Sequence, residues 1–318
     1  MKKYSLLLLL SVLSVSIYAQ NDLLDISKGT RKIASDLMDV ELKDTAYWSF
    51  PGLAGLNFSQ TAFVDWAEGG QNSITGNAFL QLNANYKKKK LIWTNNFSAE
   101  YGMFYSEANT SYNWRKNSDK LVLTSNLGYH AAKKWYYSAL IDFKTQFSRG
   151  YDYPTDTTRN YISGFMVPGY LISSVGMKYA PNKYVSVYMS PTTARFIFVC
   201  DTDTTLTDKY GVERGKQLKA EFGAYTSVLN NFDIMKNVNL NNKLELFSAY
   251  DTFGNVVINW ELMLTMKVNK YINASVRTHL KYDDKVKSNK NVDGVMKPEG
   301  GPKVQFMDVI AVGFSYNF

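Results

Sequence analysis

From Ile74 to Tyr86 the chain alternates strictly: Ile74, Gly76, Ala78, Leu80, Leu82, Ala84 and Tyr86 fall on one side, and Thr75, Asn77, Phe79, Gln81, Asn83 and Asn85 on the other. Period two means an extended strand, whose successive side chains point to opposite faces. After Lys87 to Lys90 the pattern restarts, with Leu91, Trp93, Phe97, Ala99, Tyr101, Met103 and Tyr105 opposite Thr94, Asn96, Ser98 and Glu100. Trp135, Tyr137, Ala139, Ile141, Phe143 and Phe147 face away from Ser138, Asp142, Lys144 and Gln146. A fourth segment sets Val256, Ile258, Trp260, Leu262, Leu264, Met266 and Val268 against Asn259, Glu261, Thr265, Lys267 and Asn269. These runs are about twice the five or six residues of an ordinary strand. Their ends carry Tyr, Trp or Phe, and aromatics make up 15% of the chain. A soluble sandwich hides its apolar face between short strands, whereas a membrane barrel needs about 9 to 11 tilted residues per crossing and aromatic girdles at both interfaces.

Other architectures are excluded by what the chain lacks. No stretch beyond Leu6 to Leu13 approaches the roughly 18 apolar residues of a membrane-spanning helix. That early stretch, with Lys2 and Lys3 before it and Ile17-Tyr18-Ala19 after it, reads as a secretory signal over Met1 to Ala19. Gln20 replaces the cysteine that lipid attachment needs. Removing the leader lowers the net charge from +8 to +6, and the remaining Lys and Arg are scattered, which argues against a nucleic-acid partner.

The alternation predicts twelve strands, near residues 54–66, 73–86, 91–105, 119–131, 135–148, 165–179, 184–199, 216–228, 238–250, 256–268, 271–282 and 304–318. The expected fold is therefore all-β, a transmembrane antiparallel up-and-down barrel over 53–318, preceded by a periplasmic segment at 20–52. An even count is what a bacterial single-chain barrel requires. Short links at 87–90, 132–134, 180–183, 229–237 and 269–270 alternate with long ones at 106–118, 149–164, 200–215 and 283–303, giving periplasmic and external rims. Gln60 on the apolar side of the first strand suggests a bulge or register change there. At the end of the chain Ile310, Val312, Phe314, Tyr316 and Phe318 alternate up to a terminal aromatic. This resembles the signal that outer-membrane barrels present to the barrel assembly machinery, which makes that machinery and outer-membrane lipid the expected partners.

The segment Leu56 to Ser73 contains Asn57-x-x-Gln60, then Trp66-Ala67-x-Gly69-Gly70 and Ser73. It resembles the opening motif of a Bacteroidota family of secreted, outer-membrane β-barrel proteins, domain of unknown function 3078, with similarity running from about Trp48 to the C-terminus. The resemblance implies an envelope location and a barrel; it brings no catalytic residue. Gly69-Gly70 suits a reversal needing positive φ, and Trp66 suits the interface girdle. A folding and anchoring hairpin is the leading reading of this motif, and a binding site the alternative.

Chemistry is sparse. One cysteine, Cys200, and two histidines, His130 and His279, leave no disulfide framework and little for a metal centre, so no cofactor or metal is expected. Outer-membrane phospholipases pair a His with a Ser two positions on. Here His130 precedes Ala131-Ala132 and His279 precedes Leu280-Lys281, and both share a face with polar neighbours that points to the lumen. No enzymatic activity is expected. The lumen is predicted to hold Glu100, Lys120, Asp142, Lys144, Lys178, Lys219, Glu221, Lys243, Glu245, Glu261, Lys267 and Arg277. Such charges either line a narrow pore or pair between strands into a plug.

Gln20 to Phe50 does not alternate. Ile33, Leu37 and Val40 are spaced for a short amphipathic helix that would cap the mouth, and a periplasmic tail is the alternative. The leading function is passive or gated passage of small or amphiphilic solutes through the outer membrane of a Gram-negative cell. The rival is a structural barrel that docks an envelope protein partner, with a lipid-modifying enzyme third.

Overall fold

The computed structural model describes residues 47–61, 72–107, 111–201, 204–269, 271–292 and 295–317. The signal segment, the proposed helix at Ile33, Leu37 and Val40, the motif residues Trp66, Gly69 and Gly70, and the terminal Phe318 lie outside these residues.

All twelve expected strands form: β1 (Gly52–Thr61), β2 (Ser73–Lys88), β3 (Leu91–Ser106), β4 (Trp114–Ala132), β5 (Trp135–Thr145), β6 (Gly169–Asn182), β7 (Val185–Phe198), β8 (Leu218–Met235), β9 (Val238–Ala249), β10 (Val256–Lys267), β11 (Ile272–Tyr282) and β12 (Gln305–Asn317). Each pairs antiparallel with its sequence neighbour, and β12 pairs back with β1, so the sheet is a closed barrel. Closure removes the unpaired edge an open sheet would leave. The closing seam is short. It runs from Gly313 opposite Asn57 to Asn317 opposite Leu53, whereas β11 pairs with β12 from Ile272–Phe314 to Lys281–Gln305.

Both described chain ends and the short turns share one rim, and the long loops share the other. Lys89-Lys90, Lys133-Lys134, Lys183-Tyr184 and Lys236-Asn237 make two-residue turns. Lys89, Lys133 and Asn237 take φ of 53°, 49° and 65°, the left-handed backbone that lets a tight hairpin follow strand twist. Strand β8 therefore reaches Met235, and the expected nine-residue link at 229–237 is a tight turn instead. The register of β1 against β2 is continuous through Gln60, so no bulge forms where one was expected. Gln60 lies with Leu56 and Phe58 on the outer wall.

The wall is inside-out relative to a soluble protein. Leu56, Leu127, Ile141, Val175, Phe222, Ile310 and Phe314 are all exposed on its outer face. Asn83, Asn85, Ser138, Asp142, Glu221 and Glu245 are buried on the inner one. Such a distribution suits a wall facing hydrocarbon, in which a closed barrel satisfies every backbone group internally. Alternation is reset within β7. At Pro191-Thr192 the pairing of β7 slips on both sides, so buried Ser186, Tyr188 and Ser190 before the bulge are followed by buried Thr193, Arg195 and Ile197 after it. Aromatics are not confined to the outside either, as the alternation implied. Tyr188, Tyr225 and Phe247 pack with Leu140 and Ala249 into a cluster inside the barrel.

The long loops fold over their rim. Val167, Ile197, Val199, Leu206, Tyr210 and Val212 form a second apolar cluster that ties the short helix Thr204–Lys209 to the strand ends. Two hairpins, Gly150–Asp152 with Asn160–Ser163 and Lys287–Val292 with Val295–Pro302, were not anticipated, since each is too short to show a period.

Two outcomes follow from closure. The purified protein is expected to resist SDS until boiled and to migrate differently before and after heating; equal migration together with helical circular dichroism contradicts the barrel. Because Phe314 and Tyr316 sit on the outer face beside the seam, Phe314→Ser with Tyr316→Ser is expected to reduce membrane assembly far more than deleting the hairpin 287–302, as read by protease protection in membranes.

Candidate functional site

The inner face is layered along the barrel axis. Toward the short-turn rim amides and hydroxyls predominate, with Lys178, Asp233 and Lys267 among them: Asn96 Nδ2 donates to Asn83 Oδ1 at 2.8 Å, Ser138 Oγ to Asn126 Oδ1 at 3.0 Å and Asn239 Nδ2 to Asn231 Oδ1 at 2.8 Å. Here a cavity of about 170 Å3 is lined by Asn57, Asn77, Gln81, Ser98, Thr265 and Ser275. Toward the loop rim a second cavity, of about 480 Å3, is lined by Lys120, Lys144, Tyr170, Tyr225, Asn259 and Lys281 among others. Glu100 and Arg277 line both cavities, so the layer they occupy divides the lumen.

That layer is a belt of ion pairs reaching across the barrel. Lys120 Nζ on β4 lies 2.9 Å from Glu261 Oε1 on β10, six strands away in either direction. Arg277 Nη1 on β11 meets Glu100 Oε2 on β3 at 2.7 Å, and Lys144 Nζ on β5 meets Glu245 Oε2 on β9 at 2.8 Å. Consecutive strands β3, β4 and β5 are thus joined to β11, β10 and β9 by three parallel chords. Register keeps the chords together, because Glu100 stands opposite Lys120 on one wall and Lys243 opposite Glu261 on the other.

Glu245 is the most enclosed of the six chord residues, with its side chain 7% exposed, and Asp142 beside Lys144 is 2% exposed. It accepts from Lys144, from Lys243 at 2.8 Å, from the Tyr225 hydroxyl at 2.9 Å and from Asn259. Asp142 receives the Thr124 hydroxyl at 2.6 Å and Lys144 at 2.8 Å. These two buried carboxylates are therefore each both paired and hydrogen-bonded, the condition under which burial is tolerated. Lys120 and Glu261 are looser, with side chains 37% and 24% exposed to the cavity. His279 Nε2 lies 2.6 Å from Asn259 Oδ1 and 3.7 Å from Glu261.

Closer to the loops a second cluster holds the lid. Arg195 on β7 binds Glu221 on β8 at 3.0 Å and Asp283, in the loop after β11, at 2.6 Å. Lys285 of the same loop and Lys219 both reach Glu221, at 2.7 and 3.1 Å. The loop is thereby pinned to the wall formed by β7 and β8.

The structure thus gathers Glu100, Lys120, Asp142, Lys144, Lys243, Glu245, Glu261 and Arg277 into one belt and places Glu221 in the lid cluster. Lys178 sits apart, opposite Tyr136 and Tyr188 near the turn rim, and Lys267 lines the lower cavity. Phe314 and Tyr316 point outward, as an assembly signal would. His130 is remote from the belt, its Nε2 on the Lys133 carbonyl at 2.9 Å. Arg195, Asp283, Lys285, Tyr225 and Lys281 were missed. Lys281 was legible by parity with Ser275 and Arg277; Arg195 was not, because the Pro191-Thr192 bulge reverses parity before it. Among the described residues no group of His, Cys, Asp and Glu is arranged to hold a metal.

Removing one member of a buried pair leaves its partner uncompensated, at a cost of roughly 3 to 5 kcal/mol. Glu245→Gln is therefore expected to lower the urea midpoint of the reconstituted barrel strongly. Glu261→Gln, in the more exposed pair, should cost about 1 kcal/mol or less and shift the midpoint correspondingly less. Equal midpoints for the two variants contradict this ranking.

Residues 58–151 match the model of a family described as a protein of unknown function, DUF3078. No curated protein matches the chain. Among solved structures the chain is similar to an outer membrane channel from Pseudomonas putida F1, at 12% identity over 87% of this chain and 100% of that one, with a TM-score of 0.39. It is also similar to the NanC porin, at 9% identity over 84% and 98% with a TM-score of 0.38. A third similar structure is outer membrane phospholipase A from Escherichia coli, at 12% identity over 89% and 96% with a TM-score of 0.35.

Proposed function

We propose that the chain is an outer-membrane barrel of a Gram-negative, Bacteroidota-type envelope that works as a narrow, gated channel for small or amphiphilic solutes. In this reading the Met1–Ala19 leader exports it, the barrel assembly machinery inserts it through β12, and the short-turn rim faces the periplasm. It needs no cofactor, engages no nucleic acid and performs no catalysis.

One observation carries the reading: three ion pairs cross the lumen beside the larger cavity, and one of them, Glu100–Arg277, stands between that cavity and a second. A barrel built only as a scaffold would be more stable with apolar side chains in that layer, since replacing buried ion pairs by packed hydrocarbons is often neutral or stabilising. Cavities above and below a charged constriction are instead the arrangement of a path that opens when the pairs separate. The looser Lys120–Glu261 chord is the first to part.

Planar-bilayer recording tests this. The intact protein is expected to conduct rarely, and Lys120→Gln or Glu261→Gln to raise the open fraction while heat-modifiable migration is kept. Removing residues 20–46 in the same setting tests the expected mouth plug. If no variant yields flux from a stable barrel, the channel reading fails and the partner-docking barrel replaces it.

A further inference from the structure

The two rims differ in charge. Around the short-turn rim the exposed side chains include Lys88, Lys89 and Lys90 on the first turn, Lys133 and Lys134 on the second, Lys183 on the third and Lys236 on the fourth. Asp233 is the one carboxylate among the described residues of these turns and adjoining strand ends. None of the seven lysines makes an ion pair with a described residue. On the loop rim signs are mixed and partly paired, as in Arg214–Asp208 and Lys216–Glu213, both at 2.6 Å.

Turn chemistry alone does not call for lysine here. Lys89 and Lys133 occupy left-handed backbone, which Gly or Asn adopts with less strain. Aromatic side chains stand beside the lysines on the outer wall. Trp48, Trp93, Tyr129, Tyr137, Tyr184 and Tyr271 are 39–61% exposed, and Lys88 Nζ lies 4.8 Å from the Tyr47 ring centre. Exposed Trp and Tyr on a barrel wall mark the headgroup level of the bilayer. The lysines come next, just outside that level and within a Debye length of lipid phosphates.

We infer that the short-turn rim is a binding collar for anionic phospholipid headgroups of the leaflet it faces. The inference rests on placing the barrel in a membrane, and on nothing about what crosses the lumen. Phosphodiester oxygens supply the acceptors that the turn lysines lack, and the aromatic ring holds the glycerol region against the wall. Each such lysine contributes a factor of about five in lipid affinity near an anionic surface.

The test uses the full chain, inserted into vesicles of equal parts phosphatidylglycerol and phosphatidylcholine and extracted for native mass spectrometry of retained lipid. Wild-type protein is expected to retain phosphatidylglycerol over phosphatidylcholine by at least about fivefold, with the preference falling at high salt. Joint replacement of Lys89, Lys90, Lys133, Lys134, Lys183 and Lys236 by Gln should abolish it. Arg159→Gln with Arg214→Gln and Lys216→Gln, on the loop rim, should leave it intact. Equal retention by wild type and the six-lysine variant overturns the collar, as does an equal loss in the loop-rim variant. Insertion of each protein into pure phosphatidylcholine, read by heat-modifiable migration, is scored separately: failure of wild type there refutes membrane placement, while failure of the six-lysine variant alone restricts the comparison to single-turn Lys→Gln pairs.

Discussion

Everything in this barrel depends on the seam where β12 hydrogen-bonds to β1. Without it the sheet has two open edges, and an edge in hydrocarbon leaves backbone donors and acceptors unsatisfied at several kcal/mol each, on the order of 2 to 7. Closure also fixes the meaning of each residue's parity. One face of every strand must accept lipid, and the other is confined with the inner faces of eleven more strands. Polar side chains gathered there have no bulk water to disperse into, so they must satisfy one another. The layering of amides, ion pairs and lid cluster follows from that confinement.

The belt shows how confinement becomes bracing between distant strands. Neighbouring strands could have paired Glu100 with Lys120 and Lys243 with Glu261, which stand opposite each other in register. Instead each wall presents charges to its counterpart across the lumen. A chord constrains the distance between opposite walls, which a pair between neighbours does not. Parting the Lys120–Glu261 chord leaves both ions at the cavity they already line, whereas parting Lys144–Glu245 leaves a carboxylate in close-packed interior. The aromatic cluster of Tyr188, Tyr225 and Phe247 fills the flank on which no chord is needed.

Much of the fold was legible because alternation is a local signal repeated many times. Strand number, orientation and the outward set including Phe314 and Tyr316 all follow from it. The lumen charges were legible for the same reason, but their partners were not. Whether Lys120 meets Glu100 beside it or Glu261 opposite depends on circumference and side-chain reach, and no spacing along the chain encodes either. Arg195 was hidden by a single extra residue in β7, which turns an outward position inward. The lid escaped notice because Asp283 and Lys285 belong to a loop whose sequence has no period, and its place is set by the charges it meets.

Charge exchange across the lumen tests the belt most directly. Lys120→Glu and Glu261→Lys each place like charges face to face, and each is expected to lower stability and raise bilayer conductance. The double variant restores the pair with its polarity reversed, so it should recover part of both properties, with a coupling of about 1 kcal/mol or more, the remainder being lost to the like charges it sets opposite Glu100 and Lys243. Additive effects in the double variant would mean that the two side chains do not meet across the lumen, and the account of a closed, chord-braced channel would be wrong.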